Sequence, residues 1–462
     1  MSARDYGLLA PAWAGTEAAE LTDDTAFVQG MLDVEAAWVR VQGAAGLCPA
    51  EQVQRVQRAA QVRNYDLHEL AQATPDGANA LIPLLGMVRT RLSGEGAPVP
   101  AALHRGCTSQ DIIDSALMLL AARTVPKIRA AVRRTATALA ALAEEHRHTL
   151  CIARSLTQHA LPTTFGLRAA KWLAALRAAA QRLDTLSFPL QFGGAAGTLA
   201  SLDQFLSEDH DATSAELGAA LAQELGLEYP LTPWHTNRQP ILDLSSALGS
   251  VLAALGTLGA DVLTAARPEV GELSEPHAAG TGGSSAMPQK RNPVHSILLR
   301  EAALSSPGLI STLFTAAGTA VDERPDGSWH AEWSALRELL RLTGGAAEHA
   351  ATLAEGLMVH PDKLERNLQL GGDAVLSERM VTVLADRYPG GAAAIRAEVV
   401  DALDGGPTLR QRLRRHLPVE QFSNAALDAL FDPAGYLGSA DRFISNTLSD
   451  FTTWKESWQS LS

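Results

Sequence analysis

Between positions 22 and 45 the apolar residues Phe27, Met31, Val34, Trp38 and Val41 recur at intervals of three and four. That is the repeat of an α-helix with a buried stripe, and Thr22 or Asp23 stands where its cap belongs. Similar patterning predicts helices over 51–62, 65–70 and 83–92, punctuated by Pro75, Gly77 and the 94–100 stretch. From 111 to about 148 the helical pattern is almost unbroken, with Pro126 as the expected kink. A break at 151–161 precedes a helix over 162–186, with Pro162 in its first turn. Further helices are expected over 203–225, 236–267, 294–322 and 331–358. The FGGAAG turn at 192–197 and a proline-bounded loop at 229–235 separate them. After 359 the units shorten, to 374–384, 392–402 and 408–417, and charge becomes denser.

The expected fold is therefore all-α: a small helical domain at 1–110, a bundle of long helices at 111–358, and a second small helical domain at 359–462. The five helices at 111–148, 162–186, 236–267, 294–322 and 331–358 exceed the usual length of about 8–20 residues. They are apolar on more than one face, and such a helix needs more neighbours than one subunit supplies. Ala253, Ala254, Gly256, Gly259 and Ala260 would let those neighbours approach closely. The bundle is expected to pack against copies of its own chain.

Composition agrees and narrows the function. Only 5% of the 462 residues are aromatic, low for a β-rich chain. A formal net charge of -13 argues against a nucleic-acid surface, and it means that any site for an anion must be locally basic. Cys48, Cys107 and Cys151 form no CxxC pair and no even framework, which points to a reducing cytoplasm. The opening MSARDYGLLAPAWAG has no basic segment leading into an apolar core, and runs such as 251–258 are short and interrupted by glycine. Neither a signal peptide nor a membrane span is expected. Among the 13 histidines, His146 and His148 face apart on a helix, and no HExxH or Cys/His quartet occurs, so no metal is expected.

One stretch has little structural reason to look as it does. Residues 280–293 read GTGGSSAMPQKRNP: glycines that free the backbone and expose its N–H groups, Ser284 and Ser285, Met287, then Lys290, Arg291 and Asn292. N–H groups and a lysine in such a loop suit a place where negative charge develops. Two further segments carry similar chemistry. In LHRGCTSQDIIDS (103–115), His104, Thr108 and Ser109 precede a long helix, whose exposed N–H groups and positive end bind carboxylates. In ARSLTQHALPTTFG (153–166), Thr157 and Gln158 can hold a carboxylate, and His159 can move a proton near neutral pH.

The loop GSSAMPQKRNP resembles the signature of the fumarase/aspartase superfamily, and 103–115 is similar to that superfamily's HxGxTSxD segment. The resemblance implies a central helical bundle, a homotetramer with active sites shared between subunits, and no cofactor. Ser284 matches the superfamily's catalytic serine, with Lys290, Asn292, Ser285 and Met287 around it. Adenylosuccinate lyases carry a histidine where this chain has Leu156; TQHALPTTFG instead resembles the bacterial 3-carboxy-cis,cis-muconate cycloisomerases. LQFGGAAGTLASL (190–202), PWHT (233–236), EVGELSEP (269–276) and GSWHAEW (327–333) are similar to the same branch.

A departure falls after PWHT, where the branch commonly shows QRD and this chain has Asn237, Arg238 and Gln239. Arg238 is carried over as a substrate contact, with Thr157, Gln158, His104, Thr108 and Ser109. What is implied is ring closure of a small polycarboxylate to carboxymuconolactone, in the protocatechuate branch of the β-ketoadipate route. Ser284 would supply the proton, Lys290 would stabilise the enediolate, and His159 or His104 would carry or orient a proton. An adenylosuccinate- or argininosuccinate-type lyase releasing fumarate is the alternative, and a silent oligomeric scaffold is a third reading. Absorbance on the three substrates separates them.

Overall fold

The computed structural model describes residues 6–206, 210–277, 282–283, 287 and 289–458. Five helices of modest length come first: α1 (Glu17–Leu21), α2 (Asp24–Ala44), α3 (Ala50–Ala59), α4 (Leu67–Ala73) and α5 (Leu81–Ser93). The start of α2 is set by Asp23, whose carboxylate accepts the Ala26 N–H at 2.7 Å. Met31, Val34, Trp38 and Val41 are buried, as their spacing predicts.

The long α6 (Ser109–Glu145) runs on through Pro126 without interruption. The expected break at 151–161 is instead a β-hairpin, β1 (Leu150–Ser155) with β2 (Gln158–Thr164). Pro162 lies in β2 opposite Ile152, so it does not open the next helix. That helix, α7 (Phe165–Asp184), begins where the Thr164 hydroxyl accepts the Leu167 N–H. The helix expected over 203–225 is two, α8 (Ala200–Leu206) and α9 (Ser214–Leu225). A reciprocal cap between Thr213 and Glu216 starts the second.

Then come α10 (Gln239–Ala265), β3 (Leu273–Ser274), α11 (Val294–Gly318), α12 (Gly327–Glu355) and β4 (Met358–Val359), which pairs antiparallel with β3. The C-terminal helices are α13 (Pro361–Leu370), α14 (Ser377–Leu384), α15 (Gly391–Leu403), α16 (Leu409–His416), α17 (Asn424–Leu430) and α18 (Ala440–Ser457). The fold is all-α, with short strands. Among the described residues α10 alone is long and apolar enough to cross a membrane, and half of its most apolar stretch is buried in the fold.

Two compact units divide the chain. The first comprises Met1–Val132, Ala179–Gly256 and Leu298–Ala350; the second comprises Arg133–Ala178, Thr257–Ile297 and Ala351–Ser462. Residues 1–110 lie wholly in the first and 359–462 wholly in the second, while 111–358 is shared between them. In the second unit Ile152 of β1 packs into one apolar cluster with Leu368, Met380, Leu384, Ile395 and Leu413. That cluster seats the hairpin on the C-terminal helices.

Candidate active site

The residues singled out by the sequence fall into two groups, one in each unit. In the first unit the start of α6 is built around Asp111. Its side chain is 1% exposed and accepts four N–H groups: Thr108 N at 3.0 Å, Gly193 N and Gly194 N at 2.9 Å each, and His235 Nε2 at 3.0 Å. A buried carboxylate needs such partners, and here they tie the FGGAAG turn and the PWHT loop to the helix start. Gly193 has to be glycine: a Cβ there would come within 2.7 Å of Pro233 and 2.9 Å of the His235 ring.

Above this anchor the Thr108 hydroxyl accepts a hydrogen bond from the Arg324 guanidinium. Ser109, the first residue of α6, is half-buried and makes no side-chain hydrogen bond among the described residues. His104 is held by Glu35 through its ring Nδ1 at 2.6 Å and its backbone N–H at 3.0 Å. A helix N-terminus, a hydroxyl and two basic side chains are thus gathered in one region, as binding of a carboxylate requires. Sequence reasoning missed Arg324 and Glu35. They lie 216 and 69 residues from their partners, and nothing local marks them.

Arg238 does not join them. It is 2% exposed, and its N–H groups are turned on Glu332, Asp114 and the Trp234 carbonyl. All five donors are used inside the protein, so the expectation that Arg238 contacts substrate gives way to a role under the site. Trp329 Nε1 also donates to Asp114, at 2.8 Å. Burial raises the Glu332 carboxyl above its usual range, and the Arg238 guanidinium only partly offsets this. Replacing Arg238 with methionine leaves Asp114 and Glu332 buried with no cation between them. We expect a loss of about 3–5 kcal/mol in chemical unfolding.

The second unit holds the hairpin and the signature loop. The two-residue tip of the hairpin is Leu156 and Thr157, both with positive φ, 49° and 71°. That twist suits a tight hairpin but is strained for branched side chains. Thr157, Gln158 and His159 are all exposed there. Gln158 Nε2 donates to the Thr157 hydroxyl at 3.2 Å, while His159 makes no side-chain hydrogen bond among the described residues.

Behind the tip, Arg154 and Arg168 both bond the fully buried Glu272 carboxylate, and Asn367 Nδ2 joins them at 2.9 Å. Burial alone would raise the Glu272 carboxyl; the bonds from Arg154 and Asn367 outweigh it and hold it below the usual range. Glu272 sits one residue before β3 and so ties the hairpin to the root of the loop.

The far end of the loop is fixed as firmly. Glu275 accepts the N–H groups of His295 at 3.0 Å and Ser296 at 2.7 Å, and the Ser296 hydroxyl at 2.5 Å, which caps α11. Asn292 N donates to the Gly282 carbonyl at 2.8 Å and closes the loop on itself. Gly282 has φ 72°, and a Cβ there would meet the Asn292 carbonyl oxygen at 2.7 Å. Asn292 Nδ2 reaches the Gly283 carbonyl at 3.4 Å. Met287 and Lys290 are exposed, and Lys290 makes no ion pair among the described residues. Ser284 and Ser285 lie outside the described residues. Among the described residues no group of three or more metal-binding side chains occurs. Cys48, Cys107 and Cys151 are free.

Comparison with known proteins identifies the family. Residues 27–308, more than half of the chain, match the family described as Lyase. A nitrosuccinate lyase of Streptomyces davaonensis is 42% identical over 96% of this chain and 94% of its own length. The 3-carboxy-cis,cis-muconate cycloisomerase of Pseudomonas aeruginosa is 40% identical over 92% of each. The crystal structure of the 3-carboxy-cis,cis-muconate lactonizing enzyme of Pseudomonas putida superposes with a TM-score of 0.87 at 34% identity, covering 97% of this chain and all of the other. By the extent of these matches the chain belongs to the lyase family of the fumarase/aspartase superfamily, and it is an enzyme.

Proposed function

We propose that this enzyme is a 3-carboxy-cis,cis-muconate cycloisomerase that closes the lactone ring in bacterial aromatic breakdown. The observation that carries the reading is the hairpin tip. Leu156 stands exposed where fumarate-releasing adenylosuccinate lyases place a histidine, and the one histidine of the hairpin is His159, three residues on. In the reaction, one carboxylate oxygen of the substrate adds to a C=C bond. The displaced electron pair moves to the carbon next to a second carboxylate, which becomes an enediolate. That carbon then takes a proton and the carboxylate re-forms. Ser284 gives the proton, and Lys290 and the loop N–H groups stabilise the extra charge, a contribution of about 3–4 kcal/mol per well-placed donor. His104, Thr108 and Ser109 hold a carboxylate of the substrate, with Arg324 behind Thr108. Thr157, Gln158, Ser285, Met287 and Asn292 complete the substrate contacts.

The 42% identity to a nitrosuccinate lyase favours a second reading, loss of nitrite from nitrosuccinate through the same enediolate. Here Ser284 removes a proton instead of giving one. The two readings separate by absorbance of the purified protein with each compound. Turnover of 3-carboxy-cis,cis-muconate with none of nitrosuccinate supports the first, and the opposite result replaces it with the second.

We also propose a cytoplasmic homotetramer with shared active sites. Ile297, Leu304 and Phe314 on α11 are exposed apolar side chains, and a second copy would cover them. Light scattering is expected to return four times the 48.8 kDa chain mass; an active monomer would end this part of the proposal.

A further inference from the structure

His104 is held in a way that core packing does not explain. Its φ is 57°, in the left-handed region that residues with a side chain seldom adopt. Such a conformation persists only where the surroundings enforce it, and it concentrates at functional positions. Here Glu35 enforces it. One carboxylate takes the His104 backbone N–H on Oε2 at 3.0 Å and ring Nδ1 on Oε1 at 2.6 Å. Main chain and ring of one residue are fixed by the same group, whose side chain is 4% exposed. A carboxylate cannot donate, so Nδ1 carries a proton. The remaining ring nitrogen, Nε2, has no hydrogen-bond partner among the described residues, and the ring keeps some exposure, 16%.

We propose that Glu35 is the positioning residue of His104: it fixes the ring through Nδ1 and keeps it doubly protonated, so that Nε2–H donates to a carboxylate of the substrate. This rests on the reading of the α6 start as a carboxylate-binding region, but not on which carboxylate is turned over. The charges facing the ring agree. Burial and Arg89 work against the imidazolium; the Glu35 hydrogen bond and charge, with Asp111, outweigh them and raise the His104 pKa above its ordinary 6.5. Cys107 also lies near, with its thiol pushed well up by burial and by the charges of Asp111 and Glu35. It stays neutral and does not compete for the proton. In a protein of net charge -13, a histidine held as a cation supplies local positive charge for an anionic ligand.

Because the folded pKa is raised, the contribution of the pair is fully present below pH 6.5 and is lost as pH rises through the folded value. Glu35→Gln keeps the size of the side chain and removes its charge.

Two measurements on the full chain test this, and neither depends on the reaction. The first follows carbethoxylation of His104 by diethylpyrocarbonate against pH, mapped by mass spectrometry. The reagent takes only the neutral ring. The midpoint should fall by about one pH unit or more in Glu35→Gln and return partway in Glu35→Asp. The second is calorimetric binding of tricarballylate, an unreactive tricarboxylate. Wild type should bind it and lose affinity as pH rises through the His104 midpoint, a result that needs no variant. Glu35→Gln should bind about tenfold or more weakly at neutral pH. An unchanged midpoint overturns the positioning role. Tricarballylate that fails to bind wild type, or binds it and Glu35→Gln alike, overturns the carboxylate contact. If neither 3-carboxy-cis,cis-muconate nor nitrosuccinate is turned over while both measurements succeed, the reaction assignment fails and this inference stands.

Discussion

Replacing Ser284 with alanine is expected to lower kcat by about 10³-fold or more while the protein stays folded and assembled. The expectation does not depend on which substrate is correct. On the proposed mechanism the serine gives a proton to the carbon next to the carboxylate in ring closure, and in elimination it takes a proton from that position. Either way the barrier rises when the hydroxyl is lost. A serine alone is too weak a base for this, so its alkoxide needs nearby positive charge.

We propose Lys290 as the source. It is exposed, makes no ion pair among the described residues, and belongs to a loop held at both ends. At one end Glu272 is fixed by Arg154, Arg168 and Asn367; at the other Glu275 caps α11. Between them, Asn292 closes on Gly282. Lys290→Met should therefore cost about 10²–10³ in kcat, with little change in the loop's anchors. A well-folded Ser284→Ala protein with near-wild-type kcat would remove the serine from the mechanism. Wild-type rates in Lys290→Met would move the charge stabilisation to the N–H groups alone.

What the sequence made legible follows physical range. The helix α2 was readable because its apolar spacing and its Asp23 cap are both local. So were Thr108 and Ser109 at the start of α6. The hairpin was missed because its tip uses Leu156 and Thr157 at positive φ, where glycine or asparagine would have signalled a turn. Pro162 then looked like the first residue of a helix, although a proline fits an edge strand equally well. The partners of the candidate site were hidden for another reason. Glu35, His235 and Arg324 meet their targets across 69, 124 and 216 residues, and no local pattern records a pairing of that range. Arg238 is the converse case. Its motif was visible, but only the fold shows that Asp114 and Glu332 already occupy it.

The second large effect concerns His159. We expect His159→Asn to lower kcat/KM by about 10²–10⁴, the span of a general acid or base, with little change in melting temperature. The rival role for His159 is that of a packing residue. The hairpin weakens that rival. His159 is exposed on β2, opposite Arg154 in the register, and the cores of both strands lie elsewhere, at Ile152 and Thr164. Its ring reaches past the strand toward α13: a Cβ added at Gly371 would stand 3.5 Å from His159 Nδ1. A residue with so little buried surface has little stability to lose, so a large kinetic effect could come only from contact with substrate or proton. Thr157, two residues before His159, sits at the strained tip, and a conformation of that kind is maintained where a side chain must be aimed. Kinetics and thermal unfolding on the one variant decide the matter. If stability falls and the rate survives, His159 is a packing residue, and the proton falls to His104, where Glu35 already holds the ring.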